Sequence, residues 1–153
     1  MKIYIMRHGY ADNNTPDFER RLTEAGRQKI SKNLPLLKQH ANKLDYVISS
    51  PLKRAADTAE LIHNEFNVEN ELLFDKALEP GSTIEDILVL LKTLKPETVL
   101  LVGHAPDVSI LTLNLIKSDL LQLPFSPGSV AAVKINGELK LGTGELNLLL
   151  PME

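Results

Sequence analysis

Three short segments of the 153-residue chain carry residue types that could handle a phosphoryl group. Arg7-His8-Gly9 follows the apolar run Lys2–Met6, Ser49 and Ser50 precede Arg54, and Gly103-His104 follows the run Val99–Val102. Guanidinium forks match phosphoryl oxygens bidentately, and helix N-termini add N–H donors and a positive dipole end. Arg7 with Arg54 would supply the charge neutralisation that phosphoryl transfer needs. Ser50 has no obvious adjacent base. A neutral imidazole already carries an unprotonated nitrogen, and nearby arginines favour that neutral form by like-charge repulsion. His8 is the better nucleophile.

These segments can cooperate only if the fold brings them together. Lys2–Met6 reads as a buried strand that delivers Arg7, His8 and Gly9 to a loop. Tyr46–Ile48 is a second strand, ending in Ser49-Ser50-Pro51, where Ser50 is predicted to cap a helix whose first position is Pro51 and whose first turn holds Arg54. Val99–Val102 is the strongest strand signal, followed by Gly103, His104 and a helix started by Pro106. In an open α/β sheet ligands gather beyond the carboxyl ends of the strands. Two histidines and two arginines are thereby predicted to share one edge.

The remaining elements frame that edge. After a polar loop, Asp12 to Arg21, Thr23 is a natural N-cap for a helix carrying Ile30, Leu34, Leu37, Ala41 and Leu44 at helical spacing, and Pro35 is expected to kink or divide it near Leu34. Leu72–Phe74 is a weak strand. Ser82 and Glu85 have capping-box spacing ahead of Ile84, Ile87, Leu88 and Leu91. Val130–Ile135, Asn136-Gly137 and Glu138–Leu141 predict a hairpin with a type I′ turn, and Gly142–Gly144 a further turn before Leu146–Leu150. Alternating strands and helices predict a three-layer α/β fold, a mostly parallel sheet with helices on both faces and antiparallel C-terminal strands.

Composition narrows the partners. With 43% hydrophobic and 24% charged residues the chain is ordinary globular material of one-domain size. A formal charge of -3, without long one-sign blocks, gives no field for nucleic acid or an anionic membrane, so an anion site must be a local cluster of positive groups. The absence of cysteine excludes disulfides, thiolate metal sites and a thiol nucleophile. Met1–Met6 lacks the apolar core of a signal peptide, and no apolar run approaches membrane-spanning length, so a cytoplasmic protein is expected.

Met6-Arg7-His8-Gly9, Ser50-Pro51-Leu52-Lys53-Arg54-Ala55 and Gly103-His104, in this order at predicted strand ends, resemble the histidine phosphatase superfamily, also called phosphoglycerate mutase-like. Arg7-His8-Gly9-Tyr10-Ala11, Arg21-Leu22-Thr23-x-x-Gly26 and Gly103-His104-x-Pro106 are most similar to the small SixA-type phosphohistidine phosphatases. The resemblance covers essentially the whole chain and implies a single histidine phosphatase domain, residues 1–153. It implies that His8 is phosphorylated on nitrogen, that Arg7, Arg54 and His104 hold the phosphoryl oxygens, and that water then releases inorganic phosphate without metal or other cofactor. The substrate it implies is phosphohistidine on a protein; small phosphate esters are the alternative.

A general acid is less defined. Glu79, in Leu78-Glu79-Pro80-Gly81, lies in about the region where larger relatives place a carboxylate beside the leaving group, and Asp12 and Asp107 are rival candidates. A phosphoramidate N–P bond needs less assistance than an alkyl phosphate ester, so a site without a strong acid would favour phosphohistidine. Arg21 could add a third positive charge at the rim, or pair with Glu24 or Asp17. Two competing classes stand beside the phosphatase: a metallohydrolase using His8, Asp12, His104 and Asp107, and a phosphate-binding module without turnover.

Overall fold

The computed structural model describes residues 1–120 and 122–152. Six strands form one sheet: β1 (Lys2–Arg7), β2 (Tyr46–Ser49), β3 (Leu73–Phe74), β4 (Thr98–Gly103), β5 (Val130–Ile135) and β6 (Gly144–Leu150), in the spatial order β3-β2-β4-β1-β5-β6. The pairings among β1 to β4 are parallel, whereas β5 runs antiparallel to β1 and to β6. Among the described residues four α-helices connect them: α1 (Glu24–His40), α2 (Lys53–Glu65), α3 (Ile84–Leu94) and α4 (Asp107–Ile116).

Strand alternation divides the core in two. Ile3, Ile5, Val99, Leu101, Ala131 and Val133 face one side with Ile87 and Leu91 of α3 and Leu111 and Leu115 of α4. Tyr4, Met6, Leu100, Val102 and Ala132 face the other with Ile30, Leu34 and Leu37 of α1 and Ala55, Ala59 and Ile62 of α2. Continuous apolar strands covered on both faces are what a parallel sheet requires. The expected three-layer architecture is therefore the observed one. Among the described residues no helix is long and apolar enough to cross a membrane.

Four local expectations need correction. Pro35 does not divide α1, which runs on to His40. Leu34 and Leu37 anchor it on either side, while Pro35 and Ser31, whose carbonyl loses its partner, both lie where water can reach them. The helix after β2 starts at Lys53 rather than Pro51, because Ser50 still belongs to the sheet end, its N–H donating to the Val102 carbonyl. The capping box of α3 is Thr83 with Asp86, one residue beyond the predicted Ser82 and Glu85; Ser82 Oγ instead donates to the Lys76 carbonyl.

The last correction concerns the hairpin. Ile135 pairs with Gly144, so Glu138–Leu141 is loop and not strand. That stretch buries Leu139 in the core, and Gly142 N–H donates to the Asn114 carbonyl of α4, which removes these residues from the ladder.

Candidate active site

The register of the central strands sets the site. Arg7 at the end of β1 lies opposite Gly103 at the end of β4, and Ser49 at the end of β2 lies opposite Val102. From β1 the chain crosses to β2 and returns to insert β4 between them, so three carboxyl ends converge where a doubly wound sheet binds its ligand. Main-chain bonds then lock the loops that carry the side chains. His8 N–H donates to the Gly103 carbonyl, Arg7 N–H to the Ser129 carbonyl, and Gly128 N–H to the carbonyls of Arg7 and His8.

His8, Arg54 and His104 are buried together, with 8%, 4% and 3% of their surface exposed. The two imidazole centroids are 5.1 Å apart. His8 Nδ1 is 2.7 Å from the Gly9 carbonyl oxygen, which can only accept, so Nδ1 carries the proton. Arg54 Nε, which can only donate, is 3.3 Å from His8 Nε2. Both contacts require the same tautomer, with the lone pair on Nε2. Burial pushes His8 down to about 4, helped by Arg54, Arg7 and Arg20 and opposed by the Gly9 carbonyl. Burial likewise pushes His104 down to about 3, with His8, Arg54 and Arg7 adding to the fall and Asp17 resisting it.

His104 Nε2 and Ser50 Oγ share a hydrogen bond of 2.8 Å, and Ser50 Oγ also accepts from the N–H of Leu52. Arg7 Nη1 donates to the Phe125 carbonyl at 2.8 Å. Burial lowers the Arg7 pKa. Among the described residues, two polar atoms of this site, Arg7 Nε and His104 Nδ1, are buried without a hydrogen-bond partner, which leaves both free to meet a ligand.

The other sequence candidates fall into different places. Arg21 binds Asp57 rather than Glu24 or Asp17: its Nε and Nη2 donate to the two carboxylate oxygens at 3.1 and 2.5 Å, bonds that raise its pKa. The Leu22 N–H and Arg27 meet the same buried carboxylate, so this cluster fastens the chain entering α1 to α2. Asp12 Oδ1 accepts from the Asn14 N–H and Asp107 Oδ2 from the Gly81 N–H. The metal donor set of His8, Asp12, His104 and Asp107 therefore does not converge; among the described residues no three such side chains cluster for a cation. Glu79 is half-buried and lines an apolar cavity of about 100 Å³ together with His104 and Asp107.

Three contributors were not singled out from the sequence. Thr58 Oγ1 accepts from the Gly9 N–H at 3.1 Å and donates to the Arg54 carbonyl at 2.8 Å, tying the His8 loop to α2. Asp17, on a short 3-10 turn (Asp17–Glu19), accepts from Arg54 through its carbonyl and its carboxylate, and Arg20 steadies the same turn. Arg54, Asp57 and Thr58 are polar residues on the buried face of α2, the signal that could have exposed Thr58; Asp17 and Arg20 lie in the Asp12–Arg21 loop, which has no periodicity to read.

Comparison with known proteins places the chain in a family. The family model of the Histidine phosphatase superfamily (branch 1) matches residues 3–79. A curated relative, the phosphohistidine phosphatase SixA homolog of Haemophilus influenzae, is 30% identical over 148 residues, covering 90% of each chain. Among solved structures, the protein histidine phosphatase SixA complexed with tungstate superposes with a TM-score of 0.85 at 25% identity, covering 99% of this chain and 97% of that one. A phosphoserine phosphatase from Entamoeba histolytica, solved with phosphoserine, shares the fold at a TM-score of 0.74 and 16% identity over 99% and 98% of the two chains. The chain belongs to the histidine phosphatase superfamily, and its likeness within it is to SixA.

Proposed function

We propose that residues 1–153 form one phosphatase domain that removes phosphoryl groups from phosphohistidine on proteins through a phospho-His8 intermediate. The observation that carries this reading is the fixed tautomer of His8: Nδ1–H held on the Gly9 carbonyl leaves the Nε2 lone pair beside Arg54. Nε2 attacks phosphorus, the bond to the substrate nitrogen breaks, and that nitrogen leaves with the electron pair and takes up a proton. Arg7, Arg54 and His104 hold the three phosphoryl oxygens and neutralise their charge, so no cation is required. Water then attacks the phosphorus of phospho-His8, releasing inorganic phosphate and restoring the neutral imidazole. Arg21, held on Asp57, adds a third positive charge at the rim.

The likeness to SixA supports phosphohistidine as the substrate, and reversal of histidine phosphorylation in cytoplasmic signalling or phosphotransfer is the role this reading assigns. One observation favours small phosphate esters as a second reading. Glu79 shares a cavity with His104, where a carboxyl group could protonate an alkoxide leaving group.

The test is phosphate release, in excess chelator, from a phosphohistidine-bearing protein and from an alkyl phosphate, by the parent, His8→Ala and Glu79→Gln. Turnover of the phosphoprotein by the parent and Glu79→Gln, but not by His8→Ala, is the expected result. Loss of the ester reaction alone in Glu79→Gln would assign Glu79 as acid for esters. Phosphate binding without release by the parent would replace the enzyme with a binding module.

A further inference from the structure

Arg54 has three donor nitrogens, and all three are engaged within the chain. Nε donates to His8 Nε2 at 3.3 Å, Nη1 to the Asp17 carbonyl at 2.7 Å and Nη2 to Asp17 Oδ2 at 3.3 Å. Asp17 thus presents two oxygens, one of them charged, to the outer edge of the guanidinium. A phosphoryl group on His8 Nε2 would lie against the edge that carries Nε and Nη2, where Asp17 Oδ2 already sits on Nη2. Two anions then compete for the charge of one guanidinium.

The surroundings favour exchange over permanent blockage. Among the described residues, Arg7 Nε and His104 Nδ1 are buried in the same site without hydrogen-bond partners, free to meet a ligand. The Asp17 side chain is 66% exposed and contributes nothing to either core cluster. Its turn lies in a loop whose ends are pinned by the pairing of Ala11 with Leu22, so the turn can move while the loop stays anchored. Arg20 keeps a hold on the displaced carboxylate: Nη1 reaches Asp17 Oδ1, while Nε and Nη2 hold the Asp12 carbonyl and Asn13 Oδ1.

Resting on the phosphatase reading, we propose that Asp17 is a latch on Arg54 that phosphoryl oxygens displace on binding and that returns to help expel inorganic phosphate. Asp17 is then a positioning and specificity-determining residue rather than a catalytic one. Free phosphate, which has only its own oxygens to offer, must compete with an anion already tethered beside the guanidinium. A phosphorylated macromolecule brings further contacts to offset that competition. The latch therefore lowers product affinity more than substrate affinity.

The test is calorimetric titration of inorganic phosphate into the full chain as parent, Asp17→Asn, Asp17→Ala and Glu19→Gln. Glu19 is the charge control, since it lies on the same turn and, among the described residues, the hydrogen bonds and ion pair of the Arg54 guanidinium go to His8 and Asp17. Loss of a charge-assisted hydrogen bond that competes with the ligand should tighten phosphate binding about three- to tenfold in Asp17→Asn. Asp17→Ala should tighten it at least as much, Glu19→Gln should match the parent, and the competitive inhibition constant for phosphate should fall in step. Binding by Asp17→Asn equal to or weaker than the parent's, or equal tightening by Glu19→Gln, would overturn the latch and leave the phosphatase reading intact. Failure of all four proteins to bind phosphate would overturn the phosphate site and the latch with it.

Discussion

Arg54 Nε donates to His8 Nε2 across 3.3 Å, so the residue proposed to bind the phosphoryl group also orients the lone pair that would attack it. The contact is possible only while His8 is neutral. A protonated imidazole would place two positive charges together in a buried site, which is part of the reason the His8 pKa lies so low.

Replacement of Arg54 tests this double role. Arg54→Ala is expected to lower kcat/KM on a phosphohistidine-bearing protein by about 100- to 1000-fold, the usual cost of losing a group aimed at developing charge. Arg54→Lys should recover little of it, because an ammonium reproduces neither the fork nor the Nε bond to His8. Steady-state kinetics on the three proteins gives the answer directly, and full activity in Arg54→Lys would contradict the bidentate role.

The two buried histidines impose a pH signature on stability. In the unfolded chain they take up protons near 6.5, whereas in the folded chain they remain neutral down to about 4 for His8 and about 3 for His104. The folded pKa values are depressed, so this contribution is complete above pH 6.5 and is lost as pH falls from there toward 4. The slope is about 1.4 kcal/mol per pH unit for each histidine. Urea unfolding from pH 7 to pH 4 should show a shallower slope in His8→Asn than in the parent, by one histidine's worth. Equal slopes would mean that His8 titrates normally in the folded state.

Thr58 bridges the His8 loop and α2. Thr58→Val keeps the volume but leaves the buried Gly9 N–H without its acceptor, at a cost of about 1–3 kcal/mol. Thr58→Ser should keep both bonds and most of the stability. Chemical denaturation together with kcat separates the two variants, and a fully active, fully stable Thr58→Val would show that the bridge is dispensable.

Gly26, in the first turn of α1, lies against the backbone that leaves the active-site loop. A Cβ there would sit 2.5 Å from the Tyr10 carbonyl oxygen, which also accepts the N–H of Thr23. Gly26→Ala must push the chain two residues beyond His8, so about 1–3 kcal/mol of stability should be lost, as in overpacked cores. Activity should fall with it. Thermal unfolding and kcat report both effects, and an unchanged melting temperature would mean that helix and loop part without strain.

The fold was readable because its elements carry strong periodicity. β1 and β4 are nearly pure apolar runs ending in the residues of interest, and Thr23 does cap α1 through the Gly26 N–H. Boundaries failed where tertiary bonds outbid local preference: Ser50 is held by Val102 and His104 instead of opening a helix, and Leu139 enters the core instead of extending a hairpin. His8, Arg54 and His104 do meet, as strand ends in an α/β sheet should. Arg21 was harder, since its partner Asp57 is 36 residues away and no local pattern pairs them. Asp17 was read only as a candidate partner of Arg21, because its contact with Arg54 spans 37 residues and no local pattern pairs them.

The covalent step is the centre of the account. The most direct measurement is a rapid quench of the chain with a phosphohistidine-bearing protein in excess chelator, followed by mapping of the bound phosphoryl group by mass spectrometry. The account predicts an acid-labile phosphoryl group on His8, formed and lost at rates that carry turnover, and absent from His8→Asn. Undiminished turnover by His8→Asn, or a phosphoryl group found on Ser50 instead, would contradict it.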